Sequence, residues 1–393
     1  MRTVRISAGY IPLVDAAPFI VAHEMGFAAE EGIELDLKAA PSWSSLRDML
    51  SFGQVDAAHM LSPVPVAAAM GLGGVGSSLA AVAVTSMNGN VIGVNRKLEM
   101  RLRDNGHDFS FSDPHKTGKD LFQAKQGVLR IGVPFPFSMH AELVHYWLES
   151  LGWSTQTDYE LRTVPPPLMA DAIAADEIDA FCVGEPWGSR AVDQKSAALI
   201  LPGASIWSLS PEKVLAVRED WAETEQSLLS RLIRAIWRAG RWLAQDQSKS
   251  LAAEMLGRPD YLNLPPELLE RSLTNRLIIS PTGEQRQTHR FVEFHNGTAN
   301  FPWRSQAQWL AHRLAQRTGK ETSIAKQRAE MVFRPDLFRQ ALAQTEADLP
   351  GASGKVEGAL RQDTPVASAE GRVILFQDTF FDGRIFDPMQ FDR

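Results

Sequence analysis

The sequence is poor in several features that would each have fixed a function class. It has one cysteine, Cys182, so no intrachain disulfide can form. That thiol lies in an apolar run and reads as an inert buried group. No apolar run approaches the roughly 18 residues of a spanning helix, so no membrane contact is expected. Lys and Arg number 40 against 47 Asp and Glu, a net charge of −7. Direct nucleic-acid binding usually leaves a basic footprint, and none is present. There is no Gly-rich phosphate loop, no Gly-x-Ser-x-Gly and no His-Glu-x-x-His. The nine histidines are scattered. His140 and His145, five apart, do not share a helix face. An enzyme is therefore not expected, and neither is a metal or other cofactor. No apolar leader precedes Val4-Arg5-Ile6-Ser7, so the expected location is the cytoplasm.

What is present is an ordinary globular composition, 44% hydrophobic and 22% charged, with room for two or three domains. The most informative feature is a repeat. Gln54-Val55-Asp56-Ala57 runs through His59 to Pro63, and Glu177-Ile178-Asp179-Ala180 runs through Cys182 to Pro186 in the same frame. Upstream, Arg5-Ile6 before Pro12 resembles Arg130-Ile131 before Pro134. One α/β unit used twice gives two lobes facing a cleft, where small ligands usually bind.

Within each unit, hydrophobic periodicity places the elements. Strands are predicted over 4–9, 33–37, 55–60, 128–133 and 159–164. Helices are predicted within 12–26, over 44–52 with a cap near Ser42, over 139–151 and over 171–175. The alternation predicts parallel sheets. Residues 101–118 read as a loop and 221–246 as one long helix. Residues 265–345 read as mostly helical, and 346–370 as a flexible connector rich in Gly, Ala, Ser and Pro. The apolar tail around Phe380-Phe381 is predicted to dock on the body. The domain reading is 1–95 with about 200–220 as the first lobe and 96–199 as the second. A helical region follows over 221–345, then the connector and tail over 346–393.

Ligand candidates lie at strand-to-helix turns. Trp43 precedes a capped helix, although core packing explains it equally well. Asn88-Gly89-Asn90 offers amides between two apolar runs, or is only a turn. His140 opens a helix, where backbone N–H groups favour anions; its plainer reading is a buried hydrogen-bonded ring. Pro165-Pro166-Pro167 stiffens a wall. Lys213 starts an apolar strand, where lysine is usually solvated. Arg231, Arg234, Arg238 and Arg241 share one face of the long helix, which reads as solvated or as a partner surface.

At these positions the chain resembles the nitrate- and bicarbonate-binding proteins of ABC transporters, relatives of NrtA and CmpA. The resemblance is carried by Ser42-Trp43, Asn88-Gly89-Asn90, His140, Val164-Pro165-Pro166-Pro167 and Pro211-Glu212-Lys213. The most specific string is Asp179-Ala180-Phe181-Cys182-Val183-Gly184-Glu185-Pro186-Trp187. Phe301-Pro302-Trp303 and the Phe381-Asp382-Gly383 tail extend the match over nearly the whole chain. The family commonly has Asn-Gly-Gln where this chain has Asn88-Gly89-Asn90, and Gly-Gly-Thr where it has Phe137-Ser138-Met139.

The resemblance implies an α/β fold of periplasmic-binding-protein type II. Two α/β lobes would surround a cleft, with a helical C-terminal extension. It implies that Trp43, Gly89, Asn90, His140, Pro166 and Lys213 face a small oxyanion, nitrate or nitrite. His140 matches the nitrate branch better than the bicarbonate branch. The family's cytosolic members, the NasS-type sensors, imply a partner: an ANTAR-domain RNA-binding antiterminator of the NasT type, released when anion binds. The alternatives are a transport binding protein without its export signal and a thiamine-pyrimidine synthase of the same fold. The synthase expects a cysteine-rich motif that this sequence lacks.

Overall fold

A computed structural model describes residues 3–74 and 76–390. Met1 and Arg2, on which the reading of the N-terminus rests, lie outside the described residues. Ten principal strands run β1 Val4–Tyr10, β2 Ile33–Ala39, β3 Ala57–Leu61, β4 Leu79–Asn88, β5 Asn90–Asn95, β6 Leu129–Val133, β7 Tyr159–Thr163, β8 Ala180–Gly184, β9 Ala197–Pro202 and β10 Pro211–Arg218. They form two sheets. The first has the order Val292–Glu293, β4, β10, β3, β1, β2, and the second β7, β6, β8, β5, β9. The fold is two α/β lobes around a cleft.

The repeat is visible in both sheets. In each, the unit's second, first and third strands pair in parallel: β2, β1, β3 and β7, β6, β8. Each set is then extended by antiparallel strands, β10 and β4 in the first sheet, β5 and β9 in the second. The sheets are therefore mixed, not parallel as the alternation predicted. Strands that cross between lobes arrive without an intervening helix and run the other way.

The paired Asp-Ala motifs turn out to brace these units. Asp56 accepts hydrogen bonds from the backbone N–H and hydroxyl of Ser7, both 2.8 Å. Asp179 accepts from the backbone and guanidinium of Arg130, at 3.1 and 2.8 Å. Both pairs are 49 residues apart and lock the first strand of a unit to its third. The Asp is a fastener within each lobe.

Other expectations need correction. β5 pairs in the second sheet, so the first lobe ends at Gly89 and not at residue 95. Residues 101–118 include the end of a helix, Arg96–Asp104, capped by Asn95, and the start of another, Pro114–Ala124, capped by Asp113. Only the piece between them is a loop; cap side chains offset the Gly and Pro that suggested a longer one. The long helix is two, Glu219–Thr224 and Gln226–Leu243, because Glu225 leaves helical geometry. Residues 276–303 contain short strands and loops where helix was predicted.

The arginine stripe is paired within the chain rather than free, although Arg238 and Arg241, the latter paired with Glu346, stay partly exposed. Arg231 donates to the carbonyls of Glu31 and Gly32, Arg234 to the Glu31 carboxylate at 2.7 Å, and Arg238 to Glu30 at 3.1 Å. It fastens the helix to the first lobe. The segment 346–370 is also tied down. Asp348 accepts from Ser368 and from the Arg372 backbone, and Thr364–Pro365 pairs with Ile374–Leu375. Its prolines take part in that pairing: Pro365 lies in the strand and Pro350 bridges Ser368.

The C-terminal segment reaches back across the body. Phe380 packs on Tyr146, Trp207 and Trp309, with ring centroids 5.1, 4.8 and 5.7 Å apart. Among the described residues no helix is long and apolar enough to cross a membrane.

Candidate functional site

Six elements converge where the lobes meet. The turn after β1 carries Asp15, and Trp43 opens the helix Trp43–Ser51, capped by Ser42. His59 lies on β3, and Glu212 and Lys213 on β10. From the second lobe come Asn90 at the start of β5 and His140 in the first turn of the helix Met139–Ser150, capped by Ser138. All seven residues are at most 2% exposed. The lobes are in direct contact here. Val14 N–H donates to the Glu185 carbonyl at 2.9 Å, and the Trp187 indole donates to the Pro12 carbonyl at 3.0 Å. Gly184 closes the second lobe against the first; a Cβ there would lie 3.1 Å from Leu13 and 3.6 Å from His140 Nε2.

Lys213 is the centre of this cluster. Its Nζ donates to Asp15 Oδ2 at 2.6 Å and to Glu212 Oε1 at 2.9 Å. It also sits 5.4 Å from the Trp43 ring centroid, within cation–π range. Glu212 Oε2 accepts from Asn90 Nδ2 at 2.7 Å, which ties the lobes together through the cluster. His59 Nε2 is 3.1 Å from Asp15 Oδ1, and His140 Nδ1 is 3.2 Å from Glu212 Oε1. Neither contact has hydrogen-bond alignment. Both histidine rings, the Trp43 indole N–H, Asp15 Oδ1 and Asn90 Oδ1 have no hydrogen-bond partner among the described residues. Buried native polar groups are nearly always partnered, so such a concentration marks a place that must interact with something.

The charges are set by burial and by each other. Burial opposes the Lys213 ammonium, but Asp15 and Glu212 outweigh it and hold the lysine charged. Burial opposes the Asp15 carboxylate too, and Lys213 and His59 more than reverse it. Glu212 goes the other way. Burial pushes it up to about 7, against the pull of Lys213 and with the repulsion of Asp15. His140 is held well below its ordinary value by burial and by Lys213, so its ring is neutral. Burial likewise lowers His59, which Asp15 only partly offsets. The result is one firm cation, one firm anion and one carboxylate that titrates near neutrality.

Of the predicted residues, Trp43, Asn90, His140 and Lys213 meet here. Lys213 is fully buried, contrary to the usual solvated lysine, because two carboxylates pair with it. Gly89 contributes differently from expectation. It has φ +92° and is the hinge between the two sheets, a conformation that favours glycine. Its N–H donates to Phe291 and its carbonyl accepts from Glu185, so its amide is committed. Pro166 is buried in the short turn after β7 and, lacking an N–H, can donate no hydrogen bond. Sequence reasoning missed Asp15, His59 and Glu212. His59 and Glu212 stand inside quoted motifs, but only the tertiary structure shows them facing Lys213. Nothing in the sequence around Asp15 marks it.

The arrangement contains no activated nucleophile; burial pushes the Cys182 thiol far up. Among the described residues no group of three or more His, Cys, Asp or Glu is placed to hold a metal ion.

Residues 2–257 match the NMT1-like family. The nitrate/nitrite binding protein NrtA of Nostoc sp. strain PCC 7120 is 30% identical over 397 residues, 99% of this chain and 84% of NrtA. The nitrate import ATP-binding protein NrtC of Synechocystis sp. strain PCC 6803 is 30% identical over 346 residues, 87% of this chain. The chain spans only 50% of the length of that NrtC. The crystal structure of the periplasmic nitrate-binding protein NrtA from Synechocystis PCC 6803 has a TM-score of 0.83 at 25% identity, covering 98% of this chain and 96% of NrtA. A ligand-binding component of an ABC-type import system from Staphylococcus aureus shares the fold at TM-score 0.65 and 16% identity, over 86% of this chain and 98% of its own.

Proposed function

The chain belongs to the NMT1-like family, as a relative of the NrtA nitrate/nitrite binding proteins, and from that premise we propose that it binds nitrate or nitrite at Lys213 between its lobes. One observation carries this reading: a buried ammonium stands among unpartnered donors drawn from both lobes. Lys213 supplies the charge, and His140 and the Trp43 indole supply hydrogen bonds. Gly89 and Asn90 set the hinge, and Pro166 forms a wall. An anion bridging these groups favours closed lobes over open ones. The chain is then a binding protein rather than an enzyme.

The affinity follows from size. Nitrate has four heavy atoms, and a ceiling of about 1.5 kcal/mol per atom gives roughly 6 kcal/mol, or tens of micromolar. Charge-assisted hydrogen bonds of about 1.5–3 kcal/mol each bring micromolar binding within reach.

Within this reading the chain is a cytoplasmic nitrate/nitrite sensor of the NasS type. Closure on the anion releases an ANTAR-domain RNA-binding antiterminator, which then switches on nitrate assimilation genes. A full switch needs about 5.5 kcal/mol of differential binding, nearly all that the anion supplies, so the partner must be held weakly. The kinship with NrtA supports a second reading, a substrate-binding protein of a nitrate or bicarbonate ABC transporter. Calorimetric titration with nitrate, nitrite and bicarbonate, with and without the antiterminator, separates the two. Anion-driven dissociation of a preformed complex supports the sensor. Anion binding with no complex to dissociate supports the transporter component. No binding of any of the three overturns both.

A further inference from the structure

The anion reading meets a difficulty in the cluster itself. Lys213 is not a free cation awaiting a ligand. Asp15 already matches its charge at 2.6 Å, and Glu212 shares the same ammonium at 2.9 Å. With both histidines neutral, the cluster carries one cation and up to two anions, all of them enclosed. A nitrate or nitrite ion would be a third negative group around a single ammonium. Unmatched charge inside a protein is strongly unfavourable. Some group must therefore give up its negative charge as the anion enters.

We propose, resting on the anion reading above, that binding at Lys213 is coupled to uptake of one proton by Glu212, so that the ligand is taken up as an anion plus a proton. The geometry selects Glu212 over Asp15. Asp15 is paired with Lys213, which holds it ionised. Glu212 is 0% exposed and also accepts from Asn90, an amide that serves either protonation state of the carboxyl. His140 Nδ1 stands 3.2 Å from Glu212 Oε1, close enough to accept a hydrogen bond from that carboxyl once it is protonated.

The titratable groups facing Glu212 are Lys213 on its own strand, Asp15 from the turn after β1, His140 from the second lobe and Cys182 on β8. Lys213 favours the ionised carboxylate, as does the hydrogen bond from Asn90. Burial and Asp15 oppose it and hold the carboxyl at about 7, where a proton is readily gained. An anion placed against Lys213 adds a second repulsion of the same sign. Glu212 then passes its share of the ammonium to the ligand and leaves as a neutral acid. The balance is one anion bound at Lys213 and one proton added to a Glu212 oxygen, drawn from solvent.

The test is nitrate titration of the whole protein at pH 8.5 in buffers of different ionisation enthalpy, which reads protons exchanged per anion. The expected result is uptake approaching one proton. Kd should rise about tenfold per pH unit above the Glu212 midpoint near 7. Glu212→Gln mimics the protonated acid. It should take up no proton and bind nitrate about tenfold or more tighter than the parent chain at pH 8.5. Nitrate binding with no proton uptake by the parent chain overturns this inference and leaves the anion reading intact. Undiminished uptake by Glu212→Gln overturns the assignment to Glu212. No binding at any pH overturns both proposals. Should Glu212→Gln fail to fold, the buffer series on the parent chain decides alone.

Discussion

The molecule has two buried clusters with the same charged groups, one lysine between two carboxylates, and they differ in everything else. Lys213 sits with Asp15 and Glu212 where the lobes meet. Lys355 sits with Glu357 and Asp378 where the C-terminal segment docks. In the second cluster every oxygen is engaged. Ser305 donates to Glu357 at 2.6 Å, the Trp207 indole donates to Asp378 at 2.6 Å, and Lys355 donates to the other two oxygens. In the first, an indole, two imidazoles and two side-chain oxygens are left over. A fully satisfied network rigidifies a structure, whereas buried polar groups left unpartnered are costly and call for a partner beyond the chain itself. Composition and burial alone would have assigned both clusters the same role.

The comparison is most directly broken by removing each cation. Lys213→Met and Lys355→Met both strand two buried carboxylates and should each lose about 3–5 kcal/mol in denaturant melts. Only Lys213→Met should also lose nitrate binding, by more than about 100-fold, measured below its melting temperature. Equal loss of binding in both would mean that the distinction between the clusters is false.

The pH dependence is the next largest effect. Burial pushes both Glu212 and Glu357 up to about 7. The folded chain therefore holds protons that the unfolded chain releases above its ordinary glutamate pKa, near 4.5. The corresponding stability is fully present below that value and is lost as pH rises through about 7, on the order of 1–3 kcal/mol for each group. Asp15, held low, acts in the opposite sense and withdraws its contribution as pH falls below the usual carboxylate range. Urea melts should thus show a maximum near pH 4 and a decline toward pH 8. Glu357→Gln should remove its share of that decline without altering the pH dependence of nitrate binding.

The smallest effects separate the two tryptophans. Trp207→Phe leaves an Asp378 oxygen unpartnered and should cost about 1–3 kcal/mol of stability, with nitrate affinity unchanged. Trp43→Phe removes an indole N–H that has no partner among the described residues, so its stability cost is only that of the cavity left by the smaller ring, about 1–3 kcal/mol. Nitrate affinity should fall about tenfold, the worth of one hydrogen bond to an anion. A Trp43→Phe variant that binds normally would remove the indole from the site.

Much of the fold was legible because it is local and repeated. Hydrophobic periodicity and caps such as Ser42 place the strands and helices, and the Asp56 and Asp179 frames announce two units. What periodicity could not show is which sheet a strand joins. β4 and β5 are adjacent in sequence, yet Gly89 sends them into different lobes. The arginine stripe was misread for the same reason. Its spacing is a local fact, while the carboxylate and carbonyls that engage it lie about 200 residues away.

The sequence by itself therefore determined the two-unit α/β architecture, the family and four members of the cluster, Trp43, Asn90, His140 and Lys213. Each entered through its match to the family's motifs; read from its neighbours alone it is equally a core, turn, cap or surface residue. Only the tertiary structure decided that Lys213 is buried rather than solvated, and that Asp15 and Glu212 share its charge. Electrostatics depends on distance through space and on exclusion of water, and Asp15 lies 198 residues from Lys213 along the chain but 2.6 Å from it in the fold.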